Sequence, residues 1–454
     1  MSKSIVKNTK KKLDRGTLSG KGPAHYTFNS FFAGIGGFDL GFEEAGISPA
    51  YHCEINKYCN SVLKRHWPGV PNGFDINSVD PIELPDADVW CGGFPCQDVS
   101  VARGWLGRDG LKGKNSGLFY PFLSLIKKRL PKVVIIENVT GLLNSHGGKD
   151  FKIIISSLTS LGYGVAWRVM NARYFGAPQS RPRVFICAWK DNVRLALKTL
   201  YEKEKSPTLK NARKGFLTLS ECIKSGVIVP QVGYCLAATS GRHTGTDWSR
   251  TYVAYSDKAR RLTPSECEGL QGFPPGWTLP ETKFHLNDED IDTLRYHAIG
   301  NAVCVPVVKW IAERIVLGLS GKFNNFNVKF TERHSVQKNI ADSFFEFNKS
   351  SVKEWNNCQD TETDKIRWKT GGAAFKDWCF ESKVSPSPSN PIETKLIKVI
   401  EKGTIENKYF LSPNAATGIL RRVNKQGRKL FKPLYKALEK LSSKSKHSEA
   451  KKVS

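Results

Sequence analysis

From about residue 27 onward, short apolar runs alternate with segments whose apolar residues recur every three to four positions, and this alternation constrains the fold more than any other feature. The runs in Asp88–Cys91 and Lys132–Glu137 are apolar at successive positions rather than at every second one, the pattern of a strand covered on both faces. Strands are expected at Tyr26–Phe32, Ala50–Glu54, Asp88–Cys91, Lys132–Glu137, Tyr163–Asn171 and Arg183–Trp189. Helices are expected at Phe38–Ala45, Asn56–His66, Leu118–Leu130 and Phe151–Leu161. Strands alternating with helices predict an α/β architecture, a parallel sheet with helices on both faces.

The rhythm breaks over residues 191–258, which are rich in Gly, Thr, Ser, Arg and aromatic residues, as in ATSGRHTGTDWSRTY. It resumes with a helix at Thr263–Gln271 and another over Ala302–Leu319, where Val305, Val308, Ala312, Ile315 and Leu319 keep helical spacing. Five segments follow: a basic disordered tail (1–24), a first α/β domain (25–190), an irregular insertion (191–258), a return to the first domain (259–320) and a polar C-terminal extension (321–454). The extension holds a Ser/Pro linker at Ser385–Pro391 and ends in a basic helical stretch.

The 454 residues carry a formal charge of +27, a balance that points to a polyanionic partner such as nucleic acid. The excess is concentrated at the ends, +6 over residues 1–22 and +10 over 401–454. Eleven cysteines without any Cys-x-x-Cys pair argue against a disulfide framework or zinc ribbon and for a reducing cytoplasm. No apolar run approaches membrane-spanning length, and the basic N-terminus lacks the apolar stretch of a secretory signal.

Four motifs carry chemistry. Phe32-Ala33-Gly34-Ile35-Gly36-Gly37-Phe38 joins the first strand to the first helix, where glycines let a ligand approach the backbone. Glu54 ends the next strand, placed to accept ribose hydroxyls, so the pair suits an adenosine cofactor. A dinucleotide turn is the rival, but its third glycine would fall at Asp39. Gly92-Gly93-Phe94-Pro95-Cys96-Gln97 follows a strand end, where ligands sit in open α/β sheets. Cys96 is a candidate nucleophile there, with a buried structural thiol as the alternative. Glu137 in Glu137-Asn138-Val139 ends a buried strand, either as an acid of raised pKa or as a helix cap. Gln179-Ser180-Arg181-Pro182-Arg183 places two arginines entering a strand, suited to phosphate, a base oxygen or a surface salt bridge.

Together these motifs resemble the DNA cytosine-5 methyltransferases. FFAGIGGFDLGFEEAG is similar to the family's cofactor motif and GGFPCQDVS to its catalytic loop. ENV (137–139), QSRPR (179–183), RRLTPSECEGLQGFP (260–274) and HAIGNAVCVPVVKWIAERI (297–315) resemble its later motifs, in the family's order over residues 27–318. The resemblance implies a Rossmann-like, S-adenosylmethionine-dependent methyltransferase sheet with a smaller target-recognition domain at 191–258 and a basic C-terminal extension. It implies that Cys96 attacks cytosine carbon 6, Glu137 serves ring nitrogen 3 and Arg183 steadies the ring oxygen, supported by Arg181. Phe32, Gly34, Gly36, Gly37, Glu54, Ile55, Asp75, Pro95 and Asn301 are expected to bind the methyl donor. Ile55 stands where many members have Trp. Gln97, Ser100, Gln179, Arg242 and Arg250 are expected at the DNA, with His243 and Asp247 as further base-reading side chains.

The Gly/Lys-rich loop between Ser100 and Phe119 suits a lid over DNA. The implied partner is double-stranded DNA, with no metal and the enzyme acting as a monomer, and a cognate restriction endonuclease is a candidate further partner. This reading has two rivals. A tRNA-methylating branch carries Cys-Phe-Thr, whereas here Leu236 and Ala237 follow Cys235. A fold that has lost its chemistry is disfavoured by the intact Cys96, Glu137, Arg181 and Arg183.

Overall fold

A computed structural model describes residues 25–95, 111, 116–202, 215–216, 218–222, 226–241, 249–280, 288–323, 352–354, 368–376 and 378–450. Its strands are β1 (Tyr26–Phe31), β2 (Ile47–Cys53), β3 (Val89–Gly92), β4 (Val133–Val139), β5 (Tyr163–Asn171), β6 (Pro182–Lys190), β7 (Leu219–Cys222), β8 (Val227–Pro230), β9 (Tyr252–Ala254), β10 (Ala259–Arg261), β11 (Val352–Glu354), β12 (Gly371–Phe375) and β13 (Trp378–Ser382). Its helices are α1 (Gly37–Glu43), α2 (Lys57–His66), α3 (Phe119–Arg129), α4 (Lys149–Ser160), α5 (Val193–Leu200), α6 (Pro264–Gln271), α7 (Asp288–Asn301), α8 (Val305–Leu319), α9 (Pro413–Lys425) and α10 (Lys432–Ala450). None of the described helices is long and apolar enough to cross a membrane.

One large sheet runs in the order β11-β13-β12-β5-β6-β4-β3-β1-β2. The apolar run of β4 explains its central place, because successive side chains supply opposite faces. Val133 and Ile135 enter a core with Phe28, Phe42 and the α5 and α8 residues Leu197, Val308 and Ile311. Val134 and Ile136 enter the other, with Phe31, Trp90, Phe122, Phe151 and Trp167.

The sheet is mixed rather than parallel. β1 to β4 are parallel, but β6 runs antiparallel to both β4 and β5. The reason lies in connection length: only residues 172–181 join β5 to β6, too few for the helical crossover that parallel neighbours need.

Two boundaries shift. α5 belongs to the large sheet's core through Val193, Ala196, Leu197 and Leu200, so the irregular segment begins later than residue 191. Its own small antiparallel sheet, β10-β9-β8-β7, extends past residue 258 to Arg261. α6 starts on a capping box between Thr263 and Glu266, and buried Arg260 meets both Glu266 oxygens at 2.8 and 2.7 Å.

The C-terminal extension is divided between the two sheets. β12 pairs antiparallel with β5, and β13 and β11 continue that edge. The Ser/Pro stretch beyond β13 is tied down: buried Arg168 donates to the Ser385 and Ser387 carbonyls, and Glu202 accepts from the Ser389 amide and hydroxyl at 2.7 Å each. Composition marks such a stretch as a linker, yet a guanidinium already buried on β5 supplies partners for its carbonyls. The basic stretch forms two helices rather than one. α9 buries Ala416, Ile419 and Val423 and α10 buries Leu434, Ala437, Leu438 and Leu441, all packed on Tyr252, Ala254 and Ala259 of the small sheet.

Candidate active site

The glycine motif follows β1 in a strained turn. Phe32 has φ 54°, Gly34 φ 57° and Gly36 φ 80°, and Gly36 caps α1 in the left-handed region that glycine tolerates. A Cβ on Gly36 would meet the Trp67 ring at 2.3 Å and one on Gly37 would meet Val303 at 2.7 Å, whereas Gly34 faces open space. Gly36 and Gly37 are packing requirements; Gly34, whose Cβ would meet only the Phe32 carbonyl oxygen at 4.0 Å, leaves room for a ligand. Asp39, at the place of a third dinucleotide glycine, is buried beneath the turn, accepting from the Ser30 hydroxyl at 3.0 Å and pairing with His52 at 2.8 Å.

Glu54 ends β2 with its carboxylate drawn back over this turn. Its oxygens accept from the Gly34 amide at 2.8 Å and the Asn56 amide at 2.7 Å. Burial raises its pKa, against the pull of the backbone amides of Asn56, Gly34 and Ile55. Next to it Ile55 is 67% exposed, and Phe74, with φ 53°, is 58% exposed. Asp75 holds the Asn77 amide on one carboxylate oxygen at 3.0 Å. Two exposed apolar side chains, two carboxylates with lone pairs to spare and an open glycine form a donor set that fits an adenosine: apolar faces for a purine, acceptors for ribose hydroxyls and an exocyclic amine. Phe74 was not legible in the motif; its exposure comes from a positive φ that nothing in FDINSV announces. Phe32 is partly buried and sits edge-on to Phe122. Asn301 is exposed at the end of α7, its amide 3.5 Å from His297.

The second half of the site gathers at the ends of β3, β4 and β6. Phe94 is buried, and its carbonyl accepts from the Asn138 amide at 3.2 Å, which fixes the chain just before Pro95. A Cβ on Gly93 would stand 3.4 Å from the Glu137 carboxylate, so the chain three residues before Cys96 lies against the acid. Cys96, Gln97 and Ser100 lie outside the described residues, as do Arg242, His243, Asp247 and all of the proposed lid between Ser100 and Phe119 except Leu111 and Ser116–Leu118.

Glu137 is only 13% exposed and pairs with Arg183 Nε at 3.0 Å. Burial raises the Glu137 pKa, opposed by Arg183 and Arg181. A carboxyl held in this way retains a proton more readily than a free one. The turn that follows is capped at Val139 without a side-chain hydrogen bond, and the partner of Glu137 is Arg183.

Arg181 and Gln179 occupy a different environment from the one expected. Arg181 is 3% exposed and donates to the carbonyls of Leu236, Gly300 and Ala302 at 2.9, 3.1 and 2.8 Å. Burial, then Arg183, lower its pKa. Gln179 is wholly buried, donating to Leu270 and Gln271 and accepting from the Leu236 amide, so its amide has no group left for DNA. Both residues join the irregular segment to α6, α7 and the first domain. Arg250 is partly buried and holds Thr239 through its carbonyl at 2.7 Å.

Cys235 is the site residue that motif reading missed. Its Sγ lies 3.6 Å from Arg181 Nη1 and 4.0 Å from Arg183. Desolvation pushes the thiol up, the two guanidiniums pull it down, and the balance falls below the usual thiol range. Among the described residues no cluster suits a metal ion.

The family model for C-5 cytosine-specific DNA methylases matches residues 26–227 and 223–317. The chain is 33% identical over 313 residues to the type II methyltransferase M2.BsuMI of Bacillus subtilis, covering 63% of this chain and 74% of that one. It is 31% identical to M1.ScrFI of Lactococcus lactis subsp. cremoris (64% and 78% covered) and 32% identical to M.NgoBI of Neisseria gonorrhoeae (63% and 91% covered). With the family model spanning well over half its length, the chain belongs to the C-5 cytosine-specific DNA methylases, enzymes that carry a methyl group from S-adenosylmethionine to cytosine in DNA.

Proposed function

We propose that the protein methylates carbon 5 of a cytosine flipped out of a specific double-stranded DNA sequence, through a covalent adduct with Cys96. The observation that carries this reading is the Glu137–Arg183 pair, packed against Gly93, three residues before Cys96. An unactivated pyrimidine carbon is too poor a nucleophile to accept a methyl group directly, so a thiolate must first add to the ring. Cys96 Sγ forms a bond to carbon 6 while Glu137 gives its proton to ring nitrogen 3, leaving an enamine whose carbon 5 is electron-rich. S-adenosylmethionine supplies the electrophilic methyl group. With S-adenosylhomocysteine as the leaving group of that transfer, loss of the carbon 5 proton to a base then expels the Cys96 thiolate, and ring nitrogen 3 returns its proton to Glu137, which restores the ring.

Arg183 has two tasks in this scheme: it keeps Glu137 in place and presents its guanidinium to the ring oxygen. Arg181 acts through Arg183 as a positioning residue. The Glu54, Ile55, Phe74 and Asp75 edge holds the adenosine part of the donor, with Phe32, Gly34, Pro95 and Asn301 around it. The small sheet and the loops of residues 215–258 read the target. A duplex cytosine must leave the stack for this chemistry, at a cost of a few kcal/mol.

The test is methyl transfer from labelled S-adenosylmethionine to duplex DNA by the wild type and by Cys96→Ser. The serine variant is expected to be inactive while still binding S-adenosylmethionine, and DNA containing 5-fluorocytosine is expected to trap the wild type, because fluorine does not leave as a proton does. Appreciable transfer by Cys96→Ser would overturn the covalent route.

A further inference from the structure

α9 and α10 are amphipathic in an unusual way. Their apolar stripe is spent on the small sheet, as described above, and their outer side is almost uniformly cationic. Residues 413–444 contain nine Lys and Arg against the single acid Glu439. Arg421, Lys425, Lys429, Lys432, Lys436 and Lys440 are all exposed. Arg421 and Lys425, and then Lys432, Lys436 and Lys440, repeat at intervals of four residues. Like charges at that spacing repel on a helix surface by about 0.2–0.5 kcal/mol per pair. A helix face kept soluble by ordinary means mixes signs. This one carries a cost in the free protein that a polyanion would relieve.

Position ties the face to the active site. α9 ends at a left-handed glycine, Gly427 at φ 58°, and the chain turns there before α10. In and after that turn, Leu430, Phe431 and Leu434 share a pocket with Phe216, Tyr234 and Arg250. Tyr234 stacks on Phe216 at 4.6 Å and is followed directly by Cys235, whose sulfur touches Arg181 and Arg183. The turn is thus one pocket wall away from the residues that hold Glu137, and the exposed Lys429 and Lys432 flank Leu430 and Phe431 on it.

We propose that the cationic face of α9, α10 and their turn is a phosphate-binding wall of the DNA cleft, which holds the duplex backbone without reading its sequence. The proposal rests on the reaction argued above for its partner, and charge complementarity selects that partner: a duplex presents phosphates in a regular row, and phosphate contacts carry no sequence information directly.

Truncating the extension is a poor test, because it would strip the cover from Tyr252, Ala254 and Ala259. The better variant is Arg421→Gln, Lys425→Gln, Lys429→Gln, Lys432→Gln and Lys436→Gln together, since all five side chains are exposed. Binding is measured across a salt series on an alternating A·T duplex, which holds no cytosine and reports backbone contact alone. If about five phosphates are neutralised, the log-affinity versus log-salt slope should flatten by roughly 4–5 in the variant. Between 50 and 200 mM salt the wild type would then lose roughly 500-fold more affinity than the variant. An unchanged slope in a variant that melts like the wild type would overturn the proposal, and so would a change in which DNA sites become methylated. Failure of the wild type to methylate any duplex would instead overturn the proposed reaction, a result read from methyl transfer and independent of the slope.

Discussion

Glu137→Gln isolates the proton from everything else that Glu137 does. The glutamine keeps the size of the side chain and still offers a hydrogen-bond donor to ring nitrogen 3, but it has no proton to give. Arg183 loses its ionic partner at 3.0 Å and retains the Pro182 carbonyl at 2.9 Å, so the guanidinium is not left stranded. General acid catalysis contributes typically 10²–10⁴-fold, so kcat should fall by that factor, about 3–5 kcal/mol of barrier. Binding of S-adenosylmethionine should hardly change, because the Glu54–Asp75 edge is untouched. The pH profile adds a sign. Burial raises the Glu137 pKa in the folded protein, so the required proton is lost at a higher pH than for an ordinary carboxyl. Wild-type kcat should fall as pH rises through that value, and Glu137→Gln should lack this limb. Stability follows the same linkage. A carboxyl whose folded pKa is raised stabilises the fold at pH below its unfolded value, and that contribution is lost as pH rises through the folded pKa. The variant should therefore gain on the wild type in alkaline urea titrations. Stopped-flow or rapid-quench methyl transfer from pH 5 to 9 makes the measurement. A variant within tenfold of wild type, with the same pH profile, would show that Glu137 orients Arg183 and moves no proton.

Three further outcomes are expected. Ile55→Trp should tighten S-adenosylmethionine binding, since a larger ring at this 67%-exposed position adds about 0.5–1.5 kcal/mol of aromatic contact, roughly 2–12-fold in Kd; calorimetry showing no gain would remove Ile55 from the adenosine site. Gly372→Ala should destabilise the protein by about 1–3 kcal/mol, because its Cβ would stand 2.2 Å from the Trp167 ring and 2.4 Å from the Phe380 carbonyl oxygen; an unchanged urea midpoint would deny β12 its place beside β5. Replacing residues 215–258 by the corresponding segment of a relative with a different target should move the methylated site, read by sequencing for 5-methylcytosine, and an unmoved site would refute that segment as the reader.

The parts of the fold that were legible are those where one strand or helix decides for itself. β4 is apolar at four successive positions because both faces are covered, and β5 begins and ends where its pattern does. The reversal of β6 was legible too, in the short connection before it, but strand–helix alternation masks a single exception. What was illegible depends on a partner. β12 and β13 are five residues each, β12 opens on two glycines, and they become strands because β5 has a free edge on which β12 and then β13 can pair. α7 runs from Asp288 into the start of the closing motif at His297–Asn301 and was not anticipated. In the site, Glu54 directly follows β2, Glu137 lies two residues before the end of β4 and Arg183 is the second residue of β6. Gln179 and Arg181 carry equally strong motif signals and point elsewhere, because a motif records which residues are required and not which way they face.

That distinction explains why a buried arginine with no carboxylate of its own is worth its desolvation. Arg181 donates to the carbonyls of Leu236 on one segment and of Gly300 and Ala302 at the α7–α8 junction, while its own backbone amide is held by Asn171 at the end of β5. Two parts of the chain that are distant in sequence from β6 and from each other therefore meet at one guanidinium. Its planar fork can serve several carbonyls at once, which a lysine ammonium on a flexible stem does with less directional control. Gln179, two residues earlier, repeats the arrangement with a neutral amide towards Leu270, Gln271 and Leu236. Arg183, two residues later, is the one left at the mouth of the site, beside Glu137. The alternation of QSRPR into β6 thus divides labour along a single strand end: Gln179 and Arg181 fasten the segment around Leu236 to the catalytic sheet, and Arg183 is left beside Glu137. If residues 215–258 read the target, as proposed, a segment fastened in this way can change its loops without moving the acid, and that would give one catalytic sheet a physical basis for serving many DNA sequences.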